Sequence, residues 1–254
     1  MQFNYAIVRR PCPELVNGLT SATLGKPVYE KALVQHREYV RALSSCGLEV
    51  LELEPLPEYP DSTFIEDVAL CTSKCAVITN PGAPSRNGER RGMDAVLRTF
   101  YNRIEFIEDP GTLEAGDVMM VGNHFYIGIS RRTNHEGADQ LIRILNKYHF
   151  TGSKIELKRM LHLKSGVSYL ENNHFLVTGE FINHPDLVGY KSIETDVSEQ
   201  YAANSLWVNG RVLVPAGFPG TATKIGEAGF KTEAVDLSEF QKLDGGMSCL
   251  SLRF

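Results

Sequence analysis

The chain has 254 residues, 43% of them hydrophobic, enough to fill one large core or two small ones without help from disulfides. A net charge of −5 with a pI near 5.8 speaks against nucleic acid and anionic membranes as partners. No apolar run reaches a membrane span, the first residues lack a basic segment followed by an apolar stretch, and five irregularly spaced cysteines make no secreted disulfide framework. The expectation is a cytoplasmic protein with free thiols.

In chain order, FNYAIVRR reads as a strand, residues 27–46 as a helix and EVLELEPL as a strand. Four segments then share one pattern of apolar run, short polar turn and apolar run: DVALCTSKCAVIT, DVMMVGNHFYIGIS, GVSYLENNHFLVTG and NSLWVNGRVLVPAG. The turns GN, ENN and NG hold residues that tolerate positive φ, as tight hairpins require. Helical spacing follows in residues 89–101, 133–148 and 221–230, whereas residues 180–190 barely make a helix. Each unit ends on a short strand: IEFIED, SKIELKRM, KSIETDV and KTEAVDL. The last segment, SCLSLRF, supplies a first strand whose unit is completed by the N-terminal strand, helix and strand.

Five ββαβ units joined head to tail predict a ring of blades in one domain spanning 1–254, which removes exposed sheet edges. The competing architecture is an ordinary layered α/β domain rich in hairpins. The spacing of fifty residues between Asp67 and Asp117, and the Asp-Val that opens both hairpins, favour the ring.

Aligning the units puts Asp67, Asp117, Ser165, Asn204 and Cys249 in one column. Three residues earlier stand Phe64, Glu114, His162, Tyr201 and Gly246. The starts of the inner strands converge on the axis of a ring, so carboxylates, an imidazole and a thiol are expected in one pocket. A cysteine beside a histidine is a candidate nucleophile and acid/base pair, and nearby carboxylates suit a cationic substrate. Gly245 and Gly246 are expected to allow close backbone approach and an unusual φ before the thiol. Asp117 and Asn204 are read as hydrogen-bonding strand starts outside the site. Cys71 and Cys75 flank a turn with no histidine or further cysteine at ligand spacing, so no zinc site is expected.

The segments TFIEDVAL, GTLEAGDVMMVGNHFYIG, LHLKSGVSYLE, YAANSLWVN and DGGMSCLSLRF, in this order, resemble the dimethylarginine dimethylaminohydrolase family. GLTSATLGKP is similar to that family's loop covering the active site. The resemblance implies a five-bladed α/β-propeller and hydrolysis of Nω-methylated arginines to citrulline and methylamine or dimethylamine, with no metal or organic cofactor. It further implies Cys249 as nucleophile, His162 as general acid/base and Glu114 as the group that orients the histidine and holds the guanidinium with Asp67. Glu66 is expected in the substrate pocket and Asp61 at the amino-acid end of the substrate. Arg86 and Arg132 would clamp the α-carboxylate, with Arg131 a rival by one register step. Leu19 would bind through its main chain, and Asp244 completes the set. The partner is a small-molecule substrate, and a homodimer stays open. An arginine deiminase acting on unmethylated arginine is the alternative activity, although no stretch between the units is long enough for the extra helical insertion that resemblance would bring. A binding protein without catalysis is the second alternative.

Overall fold

Each unit read from the sequence forms one three-stranded sheet in the computed structural model, which describes residues 2–254. The N-terminal unit contains β1 (Tyr5–Arg9) and β2 (Glu49–Leu53). The next has β3 (Ala69–Cys71), β4 (Ala76–Ile78) and β5 (Ile104–Phe106), followed by β6 (Val118–Val121), β7 (His124–Ile129) and β8 (Thr151–Glu156). The last two comprise β9 (Val167–Tyr169), β10 (His174–Val177) and β11 (Lys191–Glu194), then β12 (Leu206–Val208), β13 (Arg211–Pro215) and β14 (Lys231–Val235). The chain closes with β15 (Leu252–Arg253), which pairs antiparallel with β1 through Ala6↔Arg253 and Ile7↔Leu252.

All five sheets have the same order: the first two strands are antiparallel, and the second and third are parallel. A parallel pair needs a crossover, and the helical segments supply it. They are α1 (Tyr29–Ser45), α2 (Met93–Leu97), α3 (His135–Lys147) and, after the one-turn α4 (Leu163–Gly166), α5 (Pro219–Glu227), with α6 (Ser238–Gln241) before the C-terminal turn. The fold is a five-bladed α/β-propeller whose terminal blade is built from both ends of the chain. Among the described residues no helix is long and apolar enough to cross a membrane.

Local chemistry accounts for the elements. Helix α3 starts where the Asn134 side chain accepts from the Gly137 N–H at 2.8 Å. Its Ala138, Leu141 and Leu145 fall on one face and pack on Val118, Phe125 and Ile127. The helix expected over residues 89–101 is shorter: a 3₁₀ segment Pro84–Arg90 ends before Gly92, at φ 77°, and only then does α2 begin. Two 3₁₀ turns, Gly179–Phe181 and Pro185–Leu187, replace the doubtful third helix, where Pro185 removes a backbone donor. The hairpin turns use positive φ as expected, at Gly122, at Glu171 through Asn173, and at Asn209 and Gly210.

Candidate active site

Short turns feed the innermost strand of every blade, and they carry the polar residues. Ile65–Val68 leads into β3, Ala115–Asp117 into β6 and Val197–Ala203 towards β12, each as 3₁₀ helix, while α4 leads into β9. Cys249 lies in the corresponding turn of the terminal blade, three residues before β15, and not on the strand as the sequence suggests. Its N–H donates to the Gly246 carbonyl at 3.2 Å, and the Gly246 N–H donates to Sγ at 3.3 Å. The glycines act differently from expectation. Neither has positive φ; that falls to Asp244 at 59°. A Cβ on Gly245 would lie 2.1 Å from the Phe64 ring, and one on Gly246 would lie 2.4 Å from Asn204. They are needed for close packing around the turn that carries Cys249.

A cavity of about 30 Å³ lies over Cys249 and is lined by Leu19, Asp61, Asp67, Arg86, Arg132, His162 and Asp244. Eight of the ten expected residues thus share one cavity, counting Cys249. Glu114 is fully buried behind it, where Oε2 meets His162 Nε2 at 2.8 Å. His162 Nε2 is also 4.0 Å from Asp67 Oδ1. Gly116 permits this crowding, since a Cβ there would sit 2.7 Å from Asp67 and 3.0 Å from the imidazole. Asp117 is structural as expected: it accepts from Ser130, Thr133 and the Leu163 N–H, which fixes the turn following His162.

Glu66 is the exception. Its carboxylate accepts from Ser248 Oγ, Lys164 Nζ and Arg253 Nη2 and lines a different cavity. The 3₁₀ turn sends the successive side chains of Glu66 and Asp67 to different cavities, so the Glu66 side chain, expected in the substrate pocket, does not line the cavity over Cys249.

The arginines are placed at the site but already paired. Arg86 donates to Asp67 Oδ2 at 2.6 Å, to Glu89 and to the carbonyls of Phe64 and Asp61. Arg132 donates to Glu114 Oε1 at 3.2 Å, and it is Arg132, not Arg131, that lines the cavity. Leu19 donates its N–H to both oxygens of Asp61, while Asp244 accepts from the Ser21 N–H, the Ser21 hydroxyl and the Thr20 hydroxyl. The segment similar to a covering loop is therefore closed on two carboxylates.

Burial opposes a charged His162, but the carboxylates of Asp67, Asp117 and Glu114 outweigh it and raise the imidazole to about 9. Burial is likewise the largest influence on Glu114, yet His162, Arg86 and Arg132 together keep it ionised. Burial, with the charges of Glu66 and Asp67 behind it, pushes the Cys249 thiol up to about 12. At rest the site holds a neutral thiol and an imidazolium. Asp67, Glu114 and His162 offer donor atoms within 4.8 Å of one another, but the two guanidinium groups on the same carboxylates already supply the positive charge.

Asn204, expected as a hydrogen-bonding strand start outside the site, hydrogen-bonds as expected, its Oδ1 accepting from the Ser248 N–H, but its Nδ2 also lies 3.9 Å from Cys249 Sγ. Sequence reasoning missed Phe64 and Leu161 as cavity walls. Phe64 shares an alignment column with Glu114 and His162, so a signal for it existed. Tyr201, from that column, donates to the Gly245 carbonyl at 2.6 Å and braces the turn that carries Cys249.

This constellation can be set beside known proteins. A family model for eukaryotic N,N dimethylarginine dimethylhydrolase matches residues 21–216. The N(G),N(G)-dimethylarginine dimethylaminohydrolase of Pseudomonas aeruginosa is 52% identical over 253 residues, which cover 99% of this chain and the whole of that protein. The chain belongs to the dimethylarginine dimethylaminohydrolase family. The Streptomyces coelicolor member is 35% identical, over 98% of this chain and 96% of its own length. Among solved structures, a C249S mutant of the Pseudomonas aeruginosa enzyme complexed with citrulline superimposes over both full chains with a TM-score of 0.99 at 51% identity. The N-terminal domain of the arginine dihydrolase ArgZ, 19% identical with a TM-score of 0.87 over 98% of this chain and 97% of that domain, shares the fold. Membership of the dimethylarginine dimethylaminohydrolase family agrees with a propeller whose axial turns carry thiol, imidazole and carboxylates.

Proposed function

We propose that this protein hydrolyses Nω-methylated arginines to citrulline and methylamine or dimethylamine through a covalent intermediate on Cys249, and that its five blades work as one catalytic domain. The observation that carries the reading is a single cavity bearing Cys249, His162 and Asp67, with Glu114 on the imidazole, in a family member 52% identical to a named hydrolase along its whole length. Among the described residues no helical insertion interrupts the blades, but the ArgZ domain, from an arginine dihydrolase, matches the chain over nearly its full length as well, so it is the identity to a named dimethylarginine hydrolase that favours methylated substrates.

A guanidinium is planar and delocalised, hence a poor electrophile, and it must be held with its carbon facing the sulfur. Asp67 and Glu114 provide carboxylates for its nitrogens. Arg86 and Arg132 now occupy those two carboxylates; an incoming α-carboxylate would draw the arginines towards itself and release the acids to the guanidinium. Asp61 takes the amino-acid end with the carbonyl of Leu19, because the Leu19 N–H is committed to Asp61. Asp244 contributes by holding the covering loop.

The substrate cation, arriving next to Sγ, favours the thiolate that the empty site disfavours. Sulfur attack gives a tetrahedral adduct. His162 then hands its proton to the departing methylated amine, leaving a thiouronium, and the neutral imidazole takes a proton from water as that water attacks. Citrulline leaves and the thiol is restored.

Citrulline formation from dimethylarginine, monomethylarginine and arginine by wild type and Cys249→Ser tests this. Dimethylamine release with arginine untouched is expected, and the serine variant should lose about a thousandfold or more in kcat, as loss of a nucleophile does. Ammonia from arginine, or full activity of the variant, would sink the reading.

A further inference from the structure

The turns that bring Asp67, His162 and Cys249 to the cavity each carry a polar residue pointing the other way. Glu66 precedes Asp67, Ser248 precedes Cys249, and Lys164 stands two residues after His162. These three meet. Glu66 Oε1 accepts from Lys164 Nζ at 2.6 Å and from Arg253 Nη2 at 3.0 Å, and Oε2 accepts from Ser248 Oγ at 2.7 Å. The Glu66 N–H donates to the Cys249 carbonyl at 3.1 Å, and Arg253 Nη1 donates to the Ser248 carbonyl at 3.0 Å. The cluster lines a second cavity of about 140 Å³, bounded by inner strands of the five blades, that shares no lining residue with the cavity over Cys249.

We propose that Glu66, Lys164 and Ser248 are positioning residues that lock three axial turns together from behind, fixing the sulfur relative to the imidazole and the guanidinium-binding carboxylate. The proposal rests on Cys249, His162 and Asp67 being the reacting groups.

The three turns sit on blades whose inner strands pack together, and the bond from the Glu66 N–H to the Cys249 carbonyl ties two of the turns through the backbone. One buried carboxylate bonded to two cations and a hydroxyl gives those turns a common anchor, and charge-assisted bonds of this kind are the stronger ones. Position matters at this scale, because reacting atoms must be placed to within a fraction of an ångström. Lys164 also has an electrostatic part: burial, Glu66 and Asp67 disfavour the Cys249 thiolate, and the Lys164 ammonium opposes them.

The test uses Lys164→Met, Lys164→Arg and Glu66→Gln in the full chain, read by citrulline formation from dimethylarginine and by the rate at which iodoacetamide alkylates Cys249. Lys164→Met should lower kcat by about ten- to a hundredfold, the cost of a small misplacement, with KM within about threefold of wild type. Lys164→Arg should restore kcat to within about fivefold, since a cation returns to the same carboxylate. Glu66→Gln, nearly isosteric and hence suited to folding if the methionine variant does not fold, should also lower kcat and leave KM in place. Wild-type kcat in natively melting Lys164→Met and Glu66→Gln would overturn the proposal. So would a large rise in KM for Glu66→Gln at unchanged kcat, which would return Glu66 to the substrate pocket. If wild type forms no citrulline, the functional reading fails instead, and altered Cys249 alkylation in Lys164→Met with rescue in Lys164→Arg still decides the positioning role.

Discussion

The floor and the roof of the cavity are both held by carboxylates, but in opposite ways. On the floor, Glu66 and Glu114 are buried and bonded to arginine, lysine or imidazole, and of these partners Lys164, Arg253 and His162 come from other blades. On the roof, Asp61 and Asp244 hold the covering segment through the N–H groups of Leu19 and Ser21 and the hydroxyls of Ser21 and Thr20. Leu19 is 43% exposed, whereas Glu114 is 0% exposed. Breaking a floor contact strands a buried charge, at a cost of about 3–5 kcal/mol. Breaking the exposed Asp244 contacts returns both partners to water, for about 0.5–1.5 kcal/mol each, whereas Asp61 is itself buried and only its partner Leu19 is exposed. The floor is thus built to stay and the roof to open.

The harshest way to break the floor is to remove residues 250–254. Leu250 and Leu252 are buried, Arg253 bonds Glu66, and Phe254 packs edge-on against Phe100. Burial of the two leucines alone is worth about 1.5–3 kcal/mol each, against a total stability on the order of 5–15 kcal/mol. The truncated chain should show no cooperative melt by circular dichroism. A transition within a few degrees of the full chain would mean that the ring does not depend on its joint.

The charge state of the floor gives the next largest effect. The free site holds one proton too many for chemistry, since an imidazolium titrating near 9 sits beside a thiol pushed up to about 12. One proton must leave before a thiolate–imidazolium pair exists, and lost protons make the rate rise with pH. The first macroscopic loss belongs to the pair. Hence kcat/KM, which reports the free enzyme, should climb about tenfold per pH unit and level off near 9. The kcat profile should turn over at lower pH, because bound guanidinium favours the thiolate. A flat kcat/KM between pH 6 and 9 would show that the pair is already formed at rest.

The same contrast explains what could be read from the chain. The blades are legible because the hairpins repeat the period of two, and three of the four carry turn residues at positive φ, as Asn209 and Gly210 show. Alignment and motif together singled out Cys249, His162 and Glu114, and the structure sets Cys249 and His162 on one cavity with Glu114 bonded to the imidazole. The side of the axis to which a turn residue points was not legible. Glu66 and Asp67 are neighbours on a 3₁₀ turn, where no strand alternation or helical stripe assigns a face, and they serve different cavities. The pairing of Arg86 and Arg132 with internal acids was equally hidden, because it joins side chains from different blades or turns. Gly245 and Gly246 were noticed for a reason that the structure replaces: Phe64 and Asn204 press against them, and no sequence pattern links those positions.

The smallest expected effect sharpens the comparison from the roof. Asp244 accepts three bonds from the covering segment, yet it stands at φ 59°, a conformation that asparagine also tolerates. Asp244→Asn therefore removes charge from the latch without straining the turn. The loss should be about two- to fivefold in kcat/KM, the equivalent of a weakened exposed hydrogen bond. It should fall mainly on KM if closure only retains substrate, and the rate of Cys249 alkylation by iodoacetamide should rise as the roof spends more time open. A drop in kcat as large as that expected for Lys164→Met would show that roof and floor move as one body, and the division between a fixed floor and a releasable roof would have to be abandoned.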